Sequence, residues 1–331
     1  MRSASILALT GGGIMARFTT RVLEDLQAQR NAATGANNPD APLREAFDLM
    51  AGTSAGALCV GGLVAGRSPA DLSRIFDEHG PRIFPPGNLW RSIRWAVTTK
   101  YDPRPLWLAV DAALDGRNPR LGELPYRVAF PAVDESEGRP IVLTNADPLY
   151  LEVFLRDAVL ASAAAPTYFP AHRIEALGRR YVDGGLFANA PDLAALTIAR
   201  SLFRDLGLED MHLLSIGTTT TSSRSPFKEG HTGAQGLISW ATLPPARLLK
   251  LTMRSQVDHA MELLPKLQLA DFIRIDARLD TVKGKHLELD NASAEAMKTL
   301  IDAGGEAIAT LSAAEQARLI MILGRRRAAP V

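Results

Sequence analysis

The pentapeptide Gly52-Thr53-Ser54-Ala55-Gly56 constrains this chain more than any other stretch. The apolar residues Phe47, Leu49 and Met50 precede it, and a run of small residues from Ala55 to Ala65 follows it. That order reads as a strand, a sharp turn and a helix. In a Gly-x-Ser-x-Gly elbow the serine sits at the tip of a strained turn, so its hydroxyl is presented instead of packed. A side chain at either glycine, Gly52 or Gly56, would crowd the turn or hold the helix off the strand. Ser54 also opens a helix, where free N–H groups and the helix dipole favour developing negative charge. The plainer alternative is a turn in which Ser54 is an ordinary helix cap.

A second glycine cluster lies upstream. The short strand Ile6-Leu7-Ala8-Leu9 runs into Thr10-Gly11-Gly12-Gly13, and a helix follows with Phe18, Val22, Leu23 and Leu26 on one face. Glycines between strand and helix let backbone N–H groups turn outward as an anion-binding nest. Gly11, Gly13 and Ala16 also fit the dinucleotide fingerprint G-x-G-x-x-G/A. That reading needs an acidic residue at the end of the second strand to hold a ribose. The second strand instead ends Leu49-Met50-Ala51-Gly52 and enters the serine elbow. A glycine loop on strand one beside a nucleophile on strand two favours an oxyanion hole built from Gly11, Gly12 and Gly13. A plain tight turn is the remaining alternative.

Serine is a poor nucleophile at its own pKa and needs a base within hydrogen-bond reach. Asp183-Gly184-Gly185, inside the run from Tyr181 to Pro191, offers one. An aspartate on a glycine-rich turn can approach closely and accept the serine proton directly, and Asn189 can hold that turn. His212, His231, His259 and His286 follow Asp183 and formally allow the order Ser, acid, His. Folds with that triad place several strands before the serine, whereas two precede it here.

Taken in order, Gly11-Gly12-Gly13, Gly52-Thr53-Ser54-Ala55-Gly56 and Asp183-Gly184-Gly185 resemble the patatin-like phospholipase family. The runs Ser162 to Pro170 and Leu214-Ser215-Ile216-Gly217-Thr218 are similar to it as well, so the resemblance covers roughly residues 5–220. It implies a three-layer α/β/α sandwich around a mainly parallel sheet. It also implies hydrolysis of acyl esters in phospholipids without metal or cofactor. The Ser–Asp dyad falls on Ser54 and Asp183, supported by Gly52, Gly56, Gly184 and Gly185, with the oxyanion hole on Gly11, Gly12 and Gly13. The family's first motif usually reads Asp-Gly-Gly-Gly-x-Arg/Lys-Gly. Here Thr10, Met15 and Ala16 replace the Asp, the basic residue and the last Gly, and Arg17 lies one place late. Within the family, the regions Gly87–Arg120 and Ala161–Pro170 resemble bacterial membrane-degrading effectors of antiphage defence that cyclic oligonucleotides switch on. That implies a cyclic dinucleotide activator, with a regulatory pocket in the C-terminal third. The alternatives are a constitutive lipase or esterase, and an inactive or dinucleotide-binding protein.

Composition narrows the rest. A net charge of +1 leaves no electrostatic footprint for DNA or RNA. The lone Cys59 cannot form an intramolecular disulfide, and its place after Ser54 reads as a small buried residue. No apolar run reaches the roughly 18 residues of a membrane span. The first residues read as a strand and not as a signal peptide, so a cytoplasmic enzyme acting at the membrane surface is expected, with export lacking a cleaved signal as the alternative. Residues 81–107 interleave Phe84, Trp90, Trp95, Tyr101 and Trp107 with Arg82, Arg91, Arg94, Lys100 and Arg104. That mixture suits a lid or a membrane interface, or more plainly a packed helix pair with solvated arginines. With no repeat and no linker, residues 1–331 read as one domain whose mostly helical part, 221–331, packs on the core. Oligomerisation is left open. The tail Arg325-Arg326-Arg327 reads as a frayed end or a contact for anionic lipid.

Overall fold

The uncharged run Ala4–Leu9 forms the central strand β1, and all six of its residues are buried. Burial on both faces is what a parallel strand sandwiched between helices requires. The computed structural model describes residues 2–35, 41–86, 98–221, 247–280, 284 and 286–327. On one side β1 pairs in parallel with β2 (Leu49–Gly52), and beyond it lies β3 (Arg127–Asp134), also parallel. β4 (Arg139–Thr144) runs antiparallel along β3 as a hairpin. The far end of β3 also pairs with β6 (Arg179–Asp183), which carries β5 (His172–Ile174) at the edge. On the other side of β1 lie β7 (Met211–Ile216) and then β9 (Asp271–Ile275), both parallel. A separate two-strand pair joins β8 (Thr220–Thr221) to β10 (Arg278–Leu279).

The alternation along β1 sorts the two cores. Leu7 and Leu9 face a core built with α1 (Ala16–Thr34), α2 (Ala55–Ala65), α3 (Pro69–Ile83), α4 (Arg104–Ala113) and α5 (Leu155–Ala163). Ala4, Ile6 and Ala8 face α6 (Asp192–Leu202) and residues at the end of α7 (Arg247–Leu263). The result is the α/β/α sandwich with a mainly parallel sheet that the motifs imply. Local signals set several boundaries. The Ser68 side chain caps α3 and Asp71 completes the capping box, with Pro69 in the first turn.

The C-terminal third adds more than helices. It supplies β9 to the main sheet, while α8 (Ala294–Ala307) and α9 (Ala313–Gly324) pack on α1. The tail is not frayed through Arg327. Arg325 donates to the Ser3 carbonyl at 2.8 Å, and the Arg327 amide donates to the Glu45 carbonyl at 2.8 Å. Arginine donors with backbone acceptors in reach tie this end to the start of the sheet.

The strand order reverses at β1, with β2 on one side and β7 on the other. In open α/β sheets, ligands bind in the crevice beyond the carboxyl ends of the strands at such a switch point. The glycine loop leaves β1 and the serine elbow leaves β2 at that edge.

Candidate functional site

Ser54 has φ 56° and ψ −121°, a conformation that a residue with a side chain adopts only under constraint. Three contacts impose it. The Ser54 amide donates to Ser162 Oγ at 3.2 Å, the Thr53 amide donates to the Leu9 carbonyl at 3.2 Å, and Thr53 Oγ1 donates to the Ala188 carbonyl at 2.6 Å. Gly52 and Gly56 let α2 close on the strands: a Cβ on Gly56 would lie 2.4 Å from the Leu9 carbonyl oxygen. The Ser54 side chain makes no capping bond, so the plain helix-cap alternative is set aside.

Asp183 ends β6, registered opposite Ala132 of β3, and is almost wholly buried. Its Oδ1 accepts from the Gly185 amide at 2.7 Å, while Gly184 backs onto the Pro131 carbonyl. Oδ2 has no hydrogen bond of ordinary geometry among the described residues. Burial lifts the carboxyl to about 7, against the pull of the Gly185 amide and the Ser54 hydroxyl. That hydroxyl is a polar neighbour of the carboxyl in the same pocket.

The glycine loop corrects one expectation. The amide of Gly11 donates to the Asn189 carbonyl at 2.9 Å, so it is not available to a ligand. Asn189 Nδ2 donates in return to the Gly11 carbonyl at 3.2 Å. Asn189 thus holds the glycine loop and not the aspartate. The amides of Gly12, Gly13 and Ala55 have no hydrogen-bond partner among the described residues. Gly13 has φ +55°, and a Cβ there would lie 2.2 Å from the Leu289 carbonyl oxygen, so only glycine fits.

Two of the departures in this loop, Thr10 and Arg17, have structural partners. Thr10 Oγ1 accepts from Arg274 Nη1 at 2.9 Å, and the same nitrogen donates to Ser215 Oγ at 2.7 Å. Arg274 Nη2 meets Asp276 at 2.7 Å. Asp192 is buried beside them; burial raises its carboxyl pKa, and the charge of Arg274 and the Ser215 hydroxyl pull it back. Arg17 supplies no positive field to the loop. It is buried against α3, with Nε donating to Asp77 at 2.8 Å and Nη1 to Ser73 at 3.0 Å.

Ser54, Asp183, Gly13 and Ala55 share one pocket, partly open to solvent. Its walls are apolar, with Phe76, Phe84, Phe169, Met253 and Leu289 among them. No histidine is among its lining residues within the described part of the chain. His212 is bound instead to Asp271, Nδ1 to Oδ2 at 2.6 Å, near the start of β7 and away from its carboxyl end. His286 meets Glu295, and His231 lies outside the described residues. From the aromatic segment, Ile83, Phe84 and Leu106 line the pocket, Tyr101 packs edge-on against Phe84, and Trp107 is exposed under Arg156. Trp90, Trp95, Arg91 and Arg94 lie outside the described residues. Cys59 is fully buried, and burial pushes its thiol up to about 12, far from a thiolate nucleophile.

Sequence reasoning missed three contributors: Ser162 as the acceptor behind the elbow, Arg274 beneath the glycine loop, and the segment around Leu289. Ser162 already stood out among small residues. Arg274 was visible only as a charge in an otherwise apolar strand. Leu289 carries no local signal.

Comparison with known proteins identifies the family. The family described as Patatin-like phospholipase matches residues 7–196, the span that holds the glycine loop, the elbow and Asp183. A cGAMP-activated phospholipase of Vibrio cholerae is 30% identical over 322 residues, covering 90% of this chain and 88% of that protein. A cGAMP-activated phospholipase of Escherichia coli is 30% identical over 338 residues, covering 95% and 91%. Patatin group D-2 of Solanum tuberosum is 27% identical over 328 residues, covering 91% and 82%. The chain belongs to the patatin-like phospholipase family.

Proposed function

We propose that this chain is a phospholipase of the A type, a serine acyl hydrolase that works through Ser54 and Asp183 and is switched on by a cyclic dinucleotide such as cGAMP. The observation that carries the reading is the meeting of Ser54, a buried carboxyl with an open oxygen, and unpaired loop amides in one apolar pocket. Asp183 takes the proton of Ser54 as its oxygen attacks the ester carbonyl. The amides of Gly12 and Gly13, with that of Ala55, stabilise the oxyanion. The intermediate collapses, Asp183 returns the proton to the departing lysolipid oxygen, and the acyl group stays on Ser54. A water then gives its proton to Asp183 and attacks the acyl carbon. Fatty acid leaves and Ser54 recovers the proton.

A pocket with these apolar walls suits a fatty acyl chain. Leu248 and Leu251 on α7 and Trp107 and Leu108 on α4 are exposed, next in sequence to Leu249 and Leu106 of the pocket wall. That supports action at a membrane surface, and the cytoplasmic leaflet is where a cyclic dinucleotide would be met. Two relatives bearing the name cGAMP-activated phospholipase, each aligned over most of both chains, support the switch.

The test is fatty acid release from fluorescent phospholipid vesicles, with and without cGAMP, by the wild type and Ser54→Ala. Release that needs both Ser54 and the nucleotide is expected. Equal release without nucleotide would remove the switch, and release by Ser54→Ala would remove the assigned nucleophile.

A further inference from the structure

One charged group at the mouth of the pocket has no part in the chemistry above. Asp290 follows Leu289, which lines the pocket and whose carbonyl accepts from the Ile14 amide beside the glycine loop at 2.9 Å. Its Oδ2 binds Lys100 Nζ and accepts from the Tyr101 hydroxyl at 2.8 Å. Lys100 Nζ also lies 5.3 Å from the ring centres of both Tyr101 and Tyr168, and Tyr168 is a wall of the pocket. Lys250 follows Leu249, another wall residue, and is bound to Glu288. The carboxylates that the two lysines hold, Glu288 and Asp290, flank the wall residue Leu289, so both ammonium groups gather on one short segment. The side chains of Lys100, Asp290 and Lys250 are only 19%, 13% and 32% exposed.

Two half-buried lysines, each paired with a carboxylate on one side of the wall residue Leu289, flank an apolar pocket and form an anion site that Asp290 and Glu288 fill from within. Exposed surface ion pairs contribute little to stability, but two lysines held partly out of water attract an anion strongly. A phospholipid carries its phosphate a few bonds from the ester that Ser54 would attack, so a lipid in the pocket would bring that phosphate to the rim.

We propose that Lys100 and Lys250 bind the phosphate of a phospholipid headgroup, with Asp290 as the internal anion that the phosphate displaces. This rests on the phospholipase reading of Ser54. The shared chemistry is a phosphodiester, which a cyclic dinucleotide also carries; the position beside the acyl pocket favours the lipid.

Binding and turnover separate the two levels. In a Ser54→Ala background, calorimetric titration with dihexanoyl phosphatidylcholine is expected to show affinity about tenfold or more weaker after Lys100→Met with Lys250→Met, the loss of charge-assisted bonds. Asp290→Asn should bind that lipid more tightly. In otherwise wild-type protein with cGAMP present, the double lysine variant should lose a similar factor in kcat/KM on the phospholipid. It should keep its rate on p-nitrophenyl octanoate, which has no phosphate. Unchanged lipid affinity, or equal losses on both substrates, would overturn the clamp. So would a loss of cGAMP affinity with lipid affinity retained, which would give the lysines to the nucleotide. Lysine-dependent lipid binding without Ser54-dependent turnover would keep the clamp and refute the phospholipase reading.

Discussion

Asn189 and Gly11 exchange two hydrogen bonds, Gly11 amide to Asn189 carbonyl at 2.9 Å and Asn189 Nδ2 to Gly11 carbonyl at 3.2 Å. They lie 178 residues apart, and their pairing fixes the loop after β1 against the turn that carries Asp183. Asn189→Ala removes the side-chain bond and leaves the backbone bond. We predict a fall in kcat of about 10-fold or more, the scale of one misplaced oxyanion donor. KM for the phospholipid and the thermal midpoint should change little. Steady-state kinetics and a melting curve check this; unchanged kcat would show that the loop needs no such tie.

Asp183 ties activity and stability to pH. In the unfolded chain its carboxyl titrates near its ordinary 3.8, and in the folded protein burial lifts it to about 7. The folded state therefore holds the proton more tightly. Stability from this group is complete below pH 4, is lost as pH rises towards 7, and above that the fold carries a buried carboxylate at a cost of up to about 4 kcal/mol. We predict that Asp183→Asn is more stable than the wild type at pH 8 and no more stable at pH 4, and that it is inactive. Wild-type activity should rise through pH 7 as the base loses its proton. Denaturant titrations at the two pH values and a pH–rate profile check both signs. Equal stabilities at pH 8 would contradict the buried base.

Arg274 is the cation beneath the glycine loop. Arg274→Met takes a donor from Thr10 and Ser215, breaks the ion pair with Asp276 and removes a positive charge that favours the buried Asp192 carboxylate. Breaking such a pair costs about 3–5 kcal/mol. Adding Asp192→Asn removes the stranded carboxylate and should restore about half of the loss. Chemical denaturation of the single and double variants checks this. A single variant as stable as the wild type would show the cluster to be energetically neutral.

The site was legible where its chemistry is local. Gly52, Ser54 and Gly56 announce their turn because a tight strand-to-helix reversal needs small residues within five positions. Asp183-Gly184-Gly185 does the same at the end of β6. The sheet was legible through apolar runs such as Ala4–Leu9. Long-range pairing was not. Gly11 loses its amide to Asn189, and Thr10 finds its donor 264 residues downstream on β9, and no local pattern encodes either partner. Arg17 stood next to the loop in sequence but turns to Asp77, because a helix beginning at Ala16 points it towards α3. The arginine tail read as solvated, yet carbonyls of Ser3 and Glu45 lie in its reach.

The nucleophile can be tested without knowing the preferred lipid. Purified protein would be treated with a fluorophosphonate probe, with and without cGAMP, and the intact mass and the labelled peptide measured. We predict one adduct per chain on Ser54, formed faster with the nucleotide, absent in Ser54→Ala and much slower in Asp183→Asn. An adduct on another residue, or none on the wild type under either condition while the protein is folded, would contradict a Ser54 nucleophile served by Asp183.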